Sequence, residues 1–177
     1  TNSGKETSLK KIRAALGLSY DTIRQFIEFL EASFLVFQVQ FFSYSLKESL
    51  IKQRKIYAFD LGMQQYASKS FTEDLGKLAE TATAIELKNR NFEIYYWKGK
   101  REVDFIAKEK TKINPINVCY AKNLPEREFE GLEEFCKNHK VKEAKIIYNG
   151  KQGAITRNNI KIELENIENW LLKNKPF

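Results

Sequence analysis

The segment that most constrains the fold of this chain is residues 101–107, which has the pattern of a short strand. Because side chains alternate across a strand, its valine and phenylalanine share one face. Two carboxylates, Glu102 and Asp104, share the other face. A carboxylate within an apolar strand costs desolvation energy unless a partner binds it. The segment therefore predicts a core strand in which Asp104 requires a specific partner.

Apolar patterns and turn signals around this strand predict a domain over residues 75–177. The predicted strands are 92–97, 101–108, 115–120, 144–148 and 160–164, with a small element at 154–156. The predicted helices are 75–90, 125–139 and a final one that carries Trp170. The turn at residues 98–100 makes the first two strands a hairpin, and a helix before strand 144–148 makes that strand parallel to an earlier one. This order predicts an α/β (α+β) fold, a mixed sheet flanked by helices.

Residues 1–64 have the pattern of a helix-turn-helix followed by two strands. Helix 8–16, with Ser8 as its cap, ends at Gly17, and Ser19 caps a second helix over residues 20–33. The predicted inward stripe of the second helix is Ile23, Phe26, Ile27, Leu30 and Phe34. Strands at 34–42 and 55–60, joined by a polar bend, complete a predicted winged helix. Residues 65–74 are predicted to be a polar linker between the two domains.

The net charge of +7 favours an anionic partner, of which nucleic acid is the commonest. In a helix-turn-helix the second helix enters the major groove and the first helix crosses the DNA backbone. The candidate DNA-binding residues are Lys10, Lys11, Arg13, Tyr20, Arg24 and Gln25. Three acidic residues of the second helix, Asp21, Glu28 and Glu31, weigh against groove binding. DNA contact therefore stands beside the alternative that this domain only links domains or binds protein.

Glu80 on a helix and Asp104 on a strand form the second candidate site. Converging carboxylates bind Mg²⁺ or Mn²⁺ through oxygen, and such an ion activates water against a phosphodiester. The third part of such a site is a strand with Glu and Lys two residues apart, but Asn117 and Cys119 occupy those positions. Lys122 follows close by with the opposite strand parity. The catalytic candidates are Glu80, Asp104 and Lys122, with the two carboxylates as metal ligands.

These carboxylates also have a structural interpretation. Asp104 can pair with Lys100 or Arg101, and Glu80 can hydrogen-bond locally.

The chain has two cysteines and one histidine, which excludes a structural zinc site and a disulfide framework. No apolar run approaches the ~20 residues of a membrane span, and no signal peptide is visible. A cytoplasmic protein without a membrane partner is expected.

Four short motifs occur in order along the chain: KIYAFDLG at residues 55–62, LGKLAE at 75–80, YWK at 96–98 and EVDFI at 102–106. With the helix-turn-helix pattern, they resemble the C-terminal half of a large family of predicted archaeal and bacterial AAA-type ATPases. In that family a P-loop ATPase precedes a winged helix and a domain of unknown function. The last domain looks like a PD-(D/E)XK restriction-endonuclease-like fold. The resemblance spans about residues 8–150.

The resemblance implies a nuclease-like core in which Glu80 and Asp104 match the first two acidic positions. The final E-x-K is not matched, because Asn117-Val118-Cys119 stands there. The resemblance also implies that this chain works with the ATPase domain of its own full-length protein. No ATP site is assigned to the chain itself.

The favoured interpretation is a DNA- or protein-binding module whose degenerate nuclease-like core does not cleave, and which gives an ATPase its target. No cofactor is expected in that case. The alternative from the enzyme class is a Mg- or Mn-dependent DNA endonuclease that uses Glu80 and Asp104, with Lys122 in place of the missing lysine. A third alternative is a purely structural or oligomerisation domain, which is favoured if the two carboxylates lie far apart.

Overall fold

The computed structural model describes residues 3–67 and 75–173 of the chain. The chain divides into two compact units, Thr1–Glu73 and Asp74–Phe177. Within the described ranges, every helix is too short or too polar to span a bilayer. Each unit has its own strands and helices and is described separately.

The first unit combines a small antiparallel sheet with four helices among its described residues. Its elements are β1 (Glu6–Thr7), α1 (Leu9–Leu16), α2 (Tyr20–Ala32), β2 (Val36–Phe41), α3 (Leu46–Ile51), β3 (Arg54–Ala58) and α4 (Leu61–Ala67). β3 pairs with β1 on one side and with β2 on the other, antiparallel to both. The short β1 was not predicted, because two residues carry no detectable alternation.

The turn between α1 and α2 forms as its residues predict. Gly17 adopts a left-handed conformation with φ 70°, and its N–H donates to the carbonyl oxygen of Arg13, which ends α1. The hydroxyl oxygen of Ser19 accepts a hydrogen bond from the N–H of Thr22 and caps α2. Ser8 is the N-cap residue of α1, but its side chain makes no capping hydrogen bond. The two predicted helices and the turn between them are present.

Two predicted loops of the first unit contain helices instead. α3 lies within the predicted bend at 43–54, where the Ser45 hydroxyl accepts from the N–H of Glu48 at 3.4 Å. α4 begins directly after Asp60, whose Oδ1 accepts from the N–H of Met63 at 2.6 Å. Residues 65–67 of the predicted linker therefore belong to α4, and residues 68–74 lie outside the described residues. Both helices are shorter than two full turns, which is too short for a clear apolar period.

The predicted inward stripe of α2 is wrong for most of its length. Ile23 is buried, but Phe26 is 55% exposed and Phe34 is 75% exposed. α2 ends at Ala32, and Phe34 has a left-handed backbone with φ 54°, so β2 begins only at Val36. An amphipathic pattern requires an apolar partner surface, and the first unit covers only the first turns of α2.

The second unit is a mixed six-stranded sheet with three helices in its described part. Its elements are α5 (Leu75–Asn89), β4 (Glu93–Lys98), β5 (Glu102–Glu109), β6 (Lys112–Cys119), α6 (Glu126–His139), β7 (Glu143–Tyr148), β8 (Gly153–Arg157), β9 (Ile160–Asn166) and α7 (Ile167–Leu172). The strand order is β4-β5-β6-β7-β9-β8. β4, β5 and β6 are antiparallel neighbours, whereas β6, β7 and β9 run parallel. The predicted mixed α+β sheet is confirmed, including the parallel β7.

β5 is buried on both faces. Phe105 on one face and Ile106 on the other are both fully buried. α6 approaches the β5 backbone closely at Gly131, where a Cβ atom would lie 2.5 Å from the carbonyl oxygen of Glu102. The face that carries Asp104 therefore points into the structure, beneath α6.

Candidate functional site

The candidate site lies where β5 and β6 separate. Their backbone pairing runs from Glu109 opposite Lys112 to Phe105 opposite Ile116 and stops there. β6 nevertheless stays paired with β7 as far as Cys119. The two strands therefore diverge at Asp104, and the divergence opens a cleft beside the start of α6.

Side-chain hydrogen bonds join the strands where the backbone pairing ends. Oδ2 of Asp104 accepts from the N–H of Val118 at 2.8 Å. The N–H of Asp104 donates to Oδ1 of Asn117 at 3.1 Å. A carboxylate that accepts a backbone N–H is compensated for part of its desolvation cost. Asp104 thus has the specific partner that its place in an apolar strand requires.

Asn117 extends this network to α6. Its side chain is buried at 1% exposure, and its Nδ2 donates to the carbonyl oxygen of Glu128 at 2.9 Å and to Oε2 of Glu128 at 3.2 Å. Both ends of the amide are therefore satisfied. We refer to these three residues as the Asp104–Asn117–Glu128 network. It ties β5, β6 and α6 together.

The cleft above this network, here named the Asp104 cleft, has a volume of about 810 Å³. Its lining includes Lys77, Glu80, Arg101, Glu102, Asp104, Cys119, Arg127 and Glu128. Glu80 from α5 and Asp104 from β5 thus line one cleft. Lys122 is exposed in the segment after β6 and is not among the described residues that line the cleft.

Glu128 was not among the residues predicted from the sequence. Burial raises the pKa of its carboxyl group, while Arg127 and Asn117 oppose the shift. The nearby Glu80 carboxylate raises the Glu128 pKa further. The signal was present, because residue 128 lies four and seven positions before the buried Leu132 and Phe135, on the inward face of α6. A Glu on an apolar helix stripe is a candidate site residue for that reason.

Cys119 supplies no positive charge to the cleft. It is half-buried, and burial together with the negative charges of Glu128 and Asp104 raises the pKa of its thiol. The thiol is therefore protonated at neutral pH. It cannot take the part of a lysine that orients water.

The two arginines that line the cleft are paired with neighbouring acids. Nε of Arg101 lies 2.6 Å from Oε2 of Glu130, and both side chains are about half exposed. Nε of Arg127 lies 3.1 Å from Oε1 of Glu128. Within residues 3–67 and 75–173, no group of three or more His, Cys, Asp or Glu side chains is arranged to hold a metal ion.

The predicted DNA-binding residues of the first unit are all solvent-exposed: Lys10, Lys11, Arg13, Tyr20, Arg24 and Gln25. The Arg13 guanidinium lies 5.0 Å from the centre of the Tyr20 ring. α2, which carries Tyr20, also exposes large apolar side chains, among them Phe29 at 67%. The exposed surface of α2 is therefore a mixture of charged and aromatic groups.

Comparison with known proteins assigns the two parts of the chain to two families without an assigned function. Residues 1–74 match "Domain of unknown function (DUF8612)", and residues 75–167 match "Domain of unknown function (DUF4143)". The second match covers more than half of the chain.

Two curated relatives match with significance, and both are uncharacterized. A protein of Methanocaldococcus jannaschii is 33% identical over 148 residues, which are 77% of this chain and 32% of the relative. A protein of Haemophilus influenzae is 27% identical over 158 residues, which are 88% of this chain and 38% of the relative. The chain thus spans only about a third of the length of these relatives, and no solved structure matches it with significance. By the match over residues 75–167, the chain belongs to the DUF4143 family.

Proposed function

We propose that this chain is a binding module of a longer ATPase protein, and that its nuclease-like second unit binds its target without cutting it. The AAA-type resemblance of the motifs supports the ATPase connection, and DUF4143 domains are commonly found with AAA ATPases. The greater length of both relatives leaves room for such a domain in those proteins. In this proposal the first unit is a winged helix.

The single observation that carries the non-cleaving part is the buried amide of Asn117. It occupies the position where the resemblance implies a carboxylate, and both of its polar atoms are used within the Asp104–Asn117–Glu128 network. Oδ2 of Asp104 is likewise used by the N–H of Val118. A hydrated cation entering here would compete with existing hydrogen bonds and would gain no charge from Asn117. In this proposal these side chains hold β5 and β6 together and do not bind a metal ion.

The test is an assay of DNA cleavage by the 177-residue chain. Duplex, nicked and branched DNA are incubated with Mg²⁺ or Mn²⁺, and no cleavage is expected from the wild type or from Asp104→Asn. The asparagine variant keeps an oxygen that can accept from Val118, so it preserves the fold while removing the charge. Cleavage by the wild type that Asp104→Asn abolishes would contradict the proposal.

One observation favours the Mg- or Mn-dependent endonuclease as a second candidate. Glu128 adds a further carboxylate to the cleft that Glu80, Glu102 and Asp104 line. If the chain cleaves DNA, Glu128→Gln is expected to reduce cleavage as Glu80→Gln does, because each variant loses one charged metal ligand. Lys122→Ala tests the remaining predicted catalytic residue. Unchanged cleavage in the Lys122 variant removes it from the site.

The partner of the first unit is proposed to be a protein, the ATPase domain of the same full-length chain. α2 exposes Phe26, Phe29 and Leu30, and large apolar patches on soluble proteins commonly mark protein interfaces. Asp21 and Glu28 on the same helix repel phosphates. DNA contact through the helix pair remains the alternative.

The docking test uses the full-length protein's ATPase domain, expressed separately and titrated against this chain by calorimetry. Phe29→Ser is expected to weaken association at least about tenfold, because truncating an interface aromatic commonly costs more than 1 kcal/mol. Arg24→Gln, on the opposite polar surface of α2, is the matched control. If the chain self-associates but does not bind the ATPase domain, and Phe29→Ser abolishes the self-association, the exposed surface of α2 is an oligomerisation surface instead.

A further inference from the structure

A second cleft of the DUF4143 unit lies along the C-terminal half of α6. It has a volume of about 1080 Å³ and is formed by α6, the β4–β5 turn, the segment after α6 and the β8–β9 turn. Four lysines line it: Lys100, Lys137, Lys140 and Lys142. We name it the lysine cleft.

The acidic residues of the lysine cleft are engaged by neighbouring groups. Glu130 pairs with Arg101, and Oε1 of Glu133 lies 2.9 Å from Nε of Arg157. The Glu134 carboxylate accepts hydrogen bonds from the backbone N–H groups of Lys100 and Arg101 in the β4–β5 turn. Glu130 and Glu133 are therefore each paired with an arginine, whereas Glu134 keeps its negative charge, because backbone N–H groups carry no net charge.

The four lysines of the cleft outnumber this single carboxylate, which leaves the cleft an excess of positive charge. All are exposed, and across residues 3–67 and 75–173 no carboxylate pairs with any of them. The helix dipole explains why lysines are found in the last turn of α6, at Lys137, and at its C-terminal end, at Lys140, because cations there interact favourably with the dipole. It does not account for Lys100 or Lys142, which come from other segments. Lysines from three separate segments therefore line one concave surface.

The lysine cleft adjoins the Asp104 cleft. Arg101 lines both, and α6 forms a wall of each, with Glu128 in one and Glu130 in the other. A linear polyanion on the lysines would extend along α6 toward the Asp104 cleft. Low-dielectric concave walls strengthen the local potential at such a groove.

We infer that the lysine cleft binds the phosphodiester backbone of a duplex nucleic acid. Lysine ammonium groups contact phosphates without reading bases, and no aromatic side chain is among the described residues that line the cleft. Binding is therefore independent of sequence and strongly salt-dependent. This inference goes beyond the proposed function, because it names a ligand and a surface apart from the helix pair.

The test is fluorescence anisotropy of the 177-residue chain with a labelled 20-base-pair DNA duplex and with an RNA duplex of the same sequence. Lys137→Gln/Lys142→Gln is compared with Lys110→Gln/Lys151→Gln, which removes the same charge from exposed sites outside the cleft. Each lysine that contacts a phosphate adds about 0.9 to the slope of log K against log salt. We expect the cleft variant to lose about 1.8 of this slope and to bind at least about tenfold more weakly at low salt. The control is expected to keep both, and the duplex that binds more tightly identifies the nucleic acid.

Four results would overturn the inference. They are no binding of either duplex at low salt, equal losses in the control, unchanged binding in the cleft variant while Lys10→Gln/Lys11→Gln abolishes it, or equally tight binding of polyglutamate with the same dependence on Lys137 and Lys142. The last result would indicate an acidic protein. Matching thermal melts establish that the variants fold. The lysine substitutions leave Asp104 and α2 unchanged, so a failure of this inference is distinguishable from a failure of the proposed function.

Discussion

At the scale of single residues, the feature that matters most is how a carboxylate is kept inside an apolar strand. Asp104 sits where the β5–β6 ladder ends, and its side chain replaces a missing backbone hydrogen bond by accepting from Val118. Asn117 performs the complementary role from the other strand. Their side chains hold together two strands that have begun to separate.

Asn117→Ala is expected to lower the free energy of unfolding by about 1–3 kcal/mol. It leaves the N–H of Asp104 and the carbonyl oxygen of Glu128 without their partner, and buried unsatisfied groups cost about that much. Urea unfolding followed by tryptophan fluorescence measures the change. Asn123→Ala, exposed at the rim of the cleft, is the control and is expected to stay within about 0.5 kcal/mol.

Glu128→Gln is expected to stabilise the protein at pH 7 but not at pH 4. Burial raises the pKa of Glu128, so the folded state favours the protonated form, and this contribution is lost as pH rises through the folded-state pKa. Glutamine is neutral at every pH and can still accept from Asn117. Urea unfolding of both proteins at the two pH values measures the difference. A variant less stable at pH 7 than the wild type would show that the Arg127 pair outweighs burial.

At the scale of elements, α2 and α6 differ in what their apolar residues contact. α6 buries Leu132 and Phe135 completely against the sheet of the second unit. α2 buries Ile23 but leaves Phe29 mostly in solvent. The same periodicity thus corresponds to a core helix in one unit and to a largely exposed helix in the other.

Two substitutions on α2 separate its core contact from its exposed face. Ile23→Ala is expected to cost about 2–4 kcal/mol of unfolding free energy, because Ile23 is 3% exposed. Phe29→Ser is expected to change it by less than about 0.5 kcal/mol, since that ring is mostly solvated. Urea unfolding followed by circular dichroism measures both. Equal losses would indicate that Phe29 is covered.

Gly131→Ala tests the close approach of α6 to β5. Alanine favours a helix by about 1 kcal/mol over glycine, but its Cβ would lie 2.5 Å from the Glu102 carbonyl oxygen. We expect a net loss of about 1–3 kcal/mol, as for overpacking elsewhere. Asn138→Ala on the exposed side of the same helix is the control, and thermal unfolding compares the two. A Gly131 variant more stable than the wild type would show that α6 can shift away.

At the scale of the whole molecule, the chain divides into two compact units, and the two family matches, over residues 1–74 and 75–167, divide it at nearly the same place. Both tryptophans, Trp97 and Trp170, are buried in the second unit. Tryptophan emission therefore reports on that unit, whereas far-ultraviolet circular dichroism reports on both.

A fragment of residues 75–177 is expected to fold without the first unit. It contains the six-stranded sheet, α5, α6 and α7, and it buries its own core around Phe105 and Leu132. Its tryptophan emission should remain blue-shifted and should be lost in one cooperative urea transition. Red-shifted emission in buffer would show that the second unit depends on the first.

The sequence alone determined the order of elements and much of their type. Long segments with clear periodicity, such as α6 and β5, were predicted close to their observed bounds, because many side chains repeat the same signal. The capped turn at Gly17 and Ser19 was predictable from two residues with strong conformational preferences. The short elements β1, α3 and α4 were not, since so few residues carry no period.

Only the tertiary structure decided which side chains share a cleft and which faces are covered. Glu80 and Asp104 were predicted as a pair, but Glu128 joins them because α6 packs against the diverging ends of β5 and β6. The exposure of α2 likewise depends on what lies opposite it, which its own periodicity does not specify. Local preferences are written in neighbouring residues, whereas a site is assembled from residues far apart in the chain and exists only once the strands are paired.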